Sequence, residues 1–114
     1  MSGLREVNLK FDMPCAGEAQ KRLEQALRQS AAMGCAALKL IHGYGSTGRG
    51  GRIRLQTRRC LENEKRLGRI RAVIPGEHFS IFDEETRRAF LRCPDLREDP
   101  DLDRSNNGVT IVIL

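Results

Sequence analysis

Tryptophan is absent, and one tyrosine and four phenylalanines are the whole aromatic content of the 114 residues. Leucine, isoleucine, valine and alanine must therefore build the core. No apolar run approaches the roughly 18 residues that a membrane-spanning helix needs. The N-terminus, Met1-Ser2-Gly3-Leu4-Arg5-Glu6, lacks the apolar stretch of a secretory signal, so a cytoplasmic protein without a membrane span is expected. Cysteine occurs at Cys15, Cys35, Cys60 and Cys93, with no C-x-x-C pair. That spacing speaks for buried, reduced thiols and against a metal centre. The length predicts one domain over 1–114.

What the chain has in plenty is positive charge, unevenly spread. From Arg49 to Arg71 nine basic residues meet only Glu62 and Glu64, a local balance of +7. From Pro75 to Arg104 nine acids meet five arginines, a balance of −4. A basic block of this kind either forms a solvated helix face or meets a polyanion, nucleic acid above all.

Val7, Leu9 and Phe11 alternate with Asn8 and Lys10, which predicts a first strand over 7–11, ended by Pro14. Ala19, Leu23, Ala26, Leu27 and Ala31 recur at helical spacing, so a helix is expected from Ala16 to Met33, stopped at Gly34. Residues 36–41 form a nearly unbroken apolar run, as in a central strand covered on both faces. A glycine loop spans His42 to Gly51, and a second helix is expected over 52–67 with Ile53, Thr57, Cys60, Leu61 and Leu67 inward and Gly68 as its stop. A third strand is expected over 69–74, with Ile70, Ala72 and Ile74 on one side. Within an insert over 75–105, residues 79–82 read as extended, Asp83 as the N-cap of a short helix reaching Cys93, and Leu96 to Asn107 as a surface loop. Asn106-Asn107-Gly108 signals a turn before a buried last strand over 109–114. The order β-α-β-α-β-(insert)-β predicts an α/β sandwich on a mixed four-stranded sheet.

The densest signal is the glycine loop itself, with glycines at 43, 45, 48, 50 and 51 and Arg49, Arg52 and Arg54 close behind. A strand, a glycine turn and a helix start together offer free N–H groups and the positive end of a helix dipole to a phosphate. Gly43 to Gly48 also matches G-x-G-x-x-G, yet no acid stands at the tip of the next strand to hold a ribose, so a dinucleotide site is the weaker reading. A mononucleotide P-loop fits worse, because Arg49 and Gly50 occupy the places of its lysine and hydroxyl. The remaining reading is a clamp on a nucleic-acid backbone. Loop amides take one phosphate, Arg49, Arg52, Arg54 and then Arg58 or Arg59 take its neighbours, and Tyr44 either stacks on a base or is simply exposed. His42 either sits beside the phosphate, where it can move a proton, or ties the loop to a backbone carbonyl.

At these residues the chain resembles the Smr (small MutS-related) domain family. The resemblance is carried by Leu40-Ile41-His42-Gly43-Tyr44-Gly45, an H-G-x-G motif at a strand end, followed by Thr47-Gly48 and Arg52. The closing Gly108-Val109-Thr110-Ile111-Val112 matches the family's G-V-T-I-V-type last strand. It covers about residues 7–74 and 106–114. It implies a two-layer α+β sandwich similar to the C-terminal domain of bacterial translation initiation factor three, and DNA or RNA binding. Some members resemble nicking endonucleases or endoribonucleases, so the resemblance also implies possible cleavage. Two features depart from the family. Where many members carry L-D-x-H in the first strand, this chain has Leu9-Lys10-Phe11-Asp12, and the 75–105 insert is longer than the usual link. Lys10 suits phosphate binding, so the change favours gripping over cutting.

The expected site therefore has His42 and Asp12 as catalytic candidates. Lys10, Gly43, Tyr44, Gly45, Ser46, Thr47, Gly48, Arg49, Gly50, Gly51, Arg52, Arg54, Arg58 and Arg59 are the expected phosphate contacts. Binding needs no cofactor; cleavage would call on a divalent cation such as magnesium. A binding module without chemistry, or a protein-interaction or homo-oligomerising domain using the acidic insert, stays open beside the nuclease.

Overall fold

A computed structural model describes residues 3–12, 14–44 and 48–114, the side chains of residues 16 and 48–50 excepted. Gly45, Ser46 and Thr47 thus lie outside the described residues, and of Arg49 only the helical backbone is described. The elements are β1 (Leu4–Asn8), α1 (Ala16–Ala32), β2 (Ala37–Ile41), α2 (Gly48–Arg66), β3 (Ala72–Pro75), α3 (Glu84–Arg92) and β4 (Val109–Ile113). They form one mixed sheet in the order β1-β2-β4-β3, with β1 parallel to β2 and β4 antiparallel to both its neighbours.

Strand β1 begins three residues before the expected Val7 and stops at Asn8. Leu9 still donates its N–H to the Ile41 carbonyl at 2.8 Å, but the chain then turns. Lys10 N donates to Asn8 Oδ1 at 2.9 Å, and Arg22 Nη1 donates to the carbonyls of Leu9 and Phe11. These local partners replace a neighbouring strand, so the alternation runs past the paired segment.

Alternation along the strands gives the sheet two different faces. On one, Leu38, Leu40, Val73 and Val112 pack against Leu23 and Ala26 of α1 and Leu61 of α2. This is the expected sandwich of sheet and two helices. The stripe on α1 runs through Ala19, Leu23, Ala26 and buried Ser30, while Ala31 is exposed. Ser30 Oγ accepts from Arg5 Nη1 at 3.1 Å, which offsets the cost of placing a hydroxyl there. Helix α2 starts four residues earlier than Arg52, so Gly48 to Gly51 belong to its first turn and not to the loop. Leu67 falls beyond the helix and is exposed. Ile70 precedes β3 and packs with the helix layer, opposite Ala72 and Ile74.

The insert covers the other face. Ala37, Ala72, Ile74, Ile111 and Ile113 pack against Phe79, Ala89, Phe90, Cys93 and Leu96. Asp83 caps α3 as expected, its carboxylate accepting from Thr86 N at 2.9 Å. Residues 79–82 are not extended: Phe79 ends a 3-10 turn (Gly76–His78) and is buried. Leu96 to Asn107 is not a surface loop throughout, since Leu96 is buried within a 3-10 segment, Pro94–Glu98. Of the four cysteines, all unpaired, only Cys93 is buried. Cys15 is exposed at the α1 N-cap, and Cys35 and Cys60 are half-buried.

The insert is pinned through Lys39. Strand alternation points this lysine from β2 at the insert, where it is 2 % exposed. Its Nζ lies 2.6 Å from Asp101 Oδ2, 2.9 Å from Asp99 Oδ1 and 3.7 Å from Glu6 Oε1. Burial pulls the ammonium's pKa down, but hydrogen bonds to Asp101 and Asp99 and their charges outweigh it, and the net shift is above 10.5. Burial pushes the Asp101 carboxyl up, but Asn106 and Lys39 outweigh that and hold it below 3.8. The Asp101 contribution is present above its unfolded value near 3.8 and is lost as acid titrates the carboxyl; that of Lys39 is lost only above 10.5.

Removing one partner of a buried ion pair leaves the other charge unpaired. Lys39→Met should lower the urea unfolding free energy at neutral pH by about 3–5 kcal/mol. Glu6→Gln, at the exposed and longest of the three contacts, should cost less than about 1 kcal/mol.

Candidate functional site

The topology gathers one edge of the sheet. Parallel β1 and β2 end there, β3 ends there too, antiparallel β4 starts there, and α2 begins from it. In a sheet with parallel strands this carboxyl edge is where a crevice opens for ligands. The residues brought together are Leu9 to Asp12, His42 to Tyr44, Gly76 to His78 and Asn106 to Gly108.

Two backbones meet tightly at the centre. The N–H groups of His42 and Gly43 both donate to the Gly108 carbonyl, each at 3.0 Å. Gly43 has φ +84°, a left-handed conformation that favours glycine. A Cβ on Gly43 would come within 3.2 Å of Lys10 Cδ, so the Lys10 side chain lies directly across the turn. A Cβ on Gly108 would come within 3.3 Å of the Gly43 carbonyl carbon. The glycines here permit close approach of two chains and of a lysine stem.

His42 is completely buried. Its Nδ1 lies 2.9 Å from the Gly43 carbonyl, which only accepts, so Nδ1 carries the proton. Nε2 then accepts from the Thr110 hydroxyl at 2.8 Å, and Thr110 Oγ1 in turn accepts from Arg58 Nε at 3.3 Å. The Arg58 guanidinium makes a two-pronged contact with Glu77, at 2.8 and 2.6 Å, and reaches the carbonyls of Asn107 and Val109. Burial pushes the Glu77 carboxyl up, but Arg58 outweighs this and holds it below 4.5. A proton on Nε2 would make Thr110 Oγ1, already accepting from Arg58, accept a second bond and would take away the acceptor of its own hydrogen. Burial, assisted by the charges of Arg58 and Arg54 and opposed by the Gly43 carbonyl, lowers His42 from 6.5 to about 4. The ring is neutral at physiological pH.

The expected site residues fall into three groups. Lys10, Tyr44, Arg52 and Arg59 are exposed around the turn and along α2. Arg58 is taken up inside the protein by Glu77 and Thr110, and Arg54 is half-buried, its Nε without a hydrogen-bond partner among the described residues. Gly51 is half-buried in the first turn of α2, together with the backbones of Gly48, Arg49 and Gly50. Gly45, Ser46 and Thr47 lie outside the described residues. Asp12 is exposed with φ 64°. It does not hydrogen-bond to His42, because both ring nitrogens already have partners, and the N-cap of α1 is Cys15. Thr110 and Glu77 were not legible as site residues: their link to His42 comes from the β2–β4 register and the return of the chain after β3. The only signal for Thr110 is its place in the last-strand motif.

Because the folded state binds its His42 proton only near pH 4 and an unfolded chain near 6.5, stability should fall as pH drops through that window. The total loss should be up to about 3 kcal/mol. NMR of the His42 ring should report a neutral imidazole protonated at Nδ1, titrating near 4. Thr110→Val should cost about 1–3 kcal/mol by orphaning the buried Nε2.

The Smr domain family model matches residues 15–79, more than half of the chain, from the start of α1 through the 3-10 turn after β3. The Leu9–Asp12 segment, most of the insert and β4 lie outside that match. Searches of curated proteins and of solved structures each give no match. Among the described residues no helix is long and apolar enough to cross a membrane. The matched segment contains the central strand, the histidine–glycine turn at its end and the basic helix behind it, and the chain belongs to the Smr domain family, whose members are in general nucleic-acid-binding, nuclease-like domains.

Proposed function

We propose that this domain grips the sugar–phosphate backbone of DNA or RNA at the carboxyl edge of its sheet. The observation that carries the reading is the Lys10 side chain lying across Gly43, beside a glycine-rich helix start and with exposed Arg52 and Arg59 on the same helix. Cations on a rigid frame, next to unsatisfied amides of a first helical turn, suit successive phosphates. In this reading Lys10, Arg49, Arg52 and Arg59 take phosphates and the free amides in the first turn of α2 cradle one of them. Gly43 lets the backbone come close, and Tyr44 offers its ring.

His42 acts as an anchor. With both nitrogens engaged, it fixes the Gly43 carbonyl and so aims the turn. Arg54 and Arg58 contribute field more than contact, since Arg58 is held by Glu77. The cleaving alternative draws on the family's nuclease-like character, with Asp12 and a divalent cation such as magnesium beside the phosphate. A single exposed carboxylate is a poor cage for such an ion. The interaction-module alternative is weakened because Asp99 and Asp101, two of the insert's acids, are engaged by Lys39.

The test incubates the pure protein with supercoiled plasmid and with structured RNA, with and without magnesium. Wild type should retain both substrates uncut, with affinity falling steeply as salt rises. Arg49→Ala/Arg52→Ala should reduce the salt slope by about 2. Cleavage that disappears in His42→Ala, in a variant that still folds by circular dichroism, would establish the nuclease instead. Absence of retention at low salt would remove both readings.

A further inference from the structure

The turn that closes the insert comes back to the glycine loop and forms a slot with it. Tyr44, Pro100, Asp101, Arg104, Ser105 and Asn106 line an open depression of about 390 Å³. That is within the size range of small-ligand pockets, about 300–1,000 Å³. Its insert wall is built rigidly. Asp99 and Asp101 are pinned to Lys39, Asn106 Nδ2 donates to Asp101 Oδ1 at 2.8 Å, and Asp103 takes the Ile81 N–H on Oδ1 at 3.0 Å. Asp103 and Ser105 sit at φ 63° and 52°, left-handed positions on either side of Arg104 that turn the chain sharply at the rim. Such conformations in residues other than glycine persist where the surroundings dictate them.

The chemistry of the slot is specific to a class of ligand. Tyr44, 60 % exposed, presents a ring face with no aromatic partner among the described residues. Asp101 and Asn106 satisfy each other, and Gly108 N donates to Asn106 Oδ1, so these groups do not read a base edge. Arg104 and Ser105 are the exposed polar groups left at the mouth. An aromatic face with an adjacent cation and no fixed donor–acceptor code takes a base by stacking and its phosphate by charge, with little regard to sequence.

We propose that this slot is a subsite for one unpaired nucleotide, and that it makes the domain prefer single-stranded nucleic acid over duplex. The proposal rests on the backbone-binding reading, because Tyr44 directly follows Gly43 and the slot adjoins the phosphate seat. A base inside a duplex has both faces stacked and cannot offer one to Tyr44. The insert thereby contributes to binding, since it carries Arg104 to the rim.

Fluorescence anisotropy on the full chain tests this, with labelled oligothymidine, oligouridine and a mixed-sequence DNA duplex as probes. Tyr44→Ala should weaken both single strands by about tenfold and the duplex by less than about twofold. Tyr44→Phe should retain single-strand binding, and Arg104→Ala should weaken it with a smaller salt slope. Equal losses on duplex and single strands, or no loss in either variant, would overturn the slot. If Arg49→Ala/Arg52→Ala abolishes binding while Tyr44→Ala and Arg104→Ala do not, the slot fails and the backbone grip stands. If wild type binds none of the probes at low salt, the backbone grip fails and the slot with it. Loss on oligouridine alone, or on oligothymidine alone, would assign the slot to RNA or to DNA.

Discussion

A chain of hydrogen bonds from Glu77 through Arg58 and Thr110 to His42 and the Gly43 carbonyl holds the working edge of this sheet together. Its members come from α2, the ends of β2 and β4 and the turn after β3, so one connected set of donors and acceptors fixes four segments. Each link runs in one direction, from guanidinium to hydroxyl to imidazole to carbonyl. Burial of the ring at the centre of this arrangement, with the charges of Arg58 and Arg54 beside it, disfavours an extra proton, and the histidine is neutral. The glycine turn is thus held by the protein's own groups, and the cations Lys10, Arg52 and Arg59 around it are exposed.

The second organising constraint is the two-sidedness of β2. Leu38 and Leu40 face the helices, while Ala37 and Lys39 face the insert. The insert supplies Asp99 and Asp101 to meet Lys39, and Phe79, Phe90 and Leu96 to cover the apolar remainder. The same insert turns back beside Tyr44, so the device that closes the core also shapes the rim of the site.

Much of the frame is legible without coordinates. The apolar run at 36–41, the cap at Asp83 and the buried last strand are local signals and appear where expected, as does the α1 stripe through Ala19, Leu23 and Ala26, although it continues to Ser30 and not to Ala31. The differences arise where local patterns meet non-local partners. Leu9 and Phe11 continue an alternation, but Arg22 takes their carbonyls and ends the strand. Three glycines in four residues read as loop, yet they form the first turn of α2, despite the weak helix propensity of glycine. The acidic insert reads as solvated, although a lysine in a distant strand claims two of its carboxylates.

The sequence by itself determined the element order, the family, the basic helix behind a glycine turn and the position of His42 at a strand end, because periodicity, caps and motifs are written in neighbouring residues. Only the tertiary structure decided what His42 does within the fold, that Arg58 is held by Glu77, and that Tyr44 and Arg104 share a slot. Those outcomes depend on register and on burial. Thr110 reaches His42 because β4 pairs with β2 in one register and not the next, and a one-residue slip would turn that hydroxyl to the opposite face.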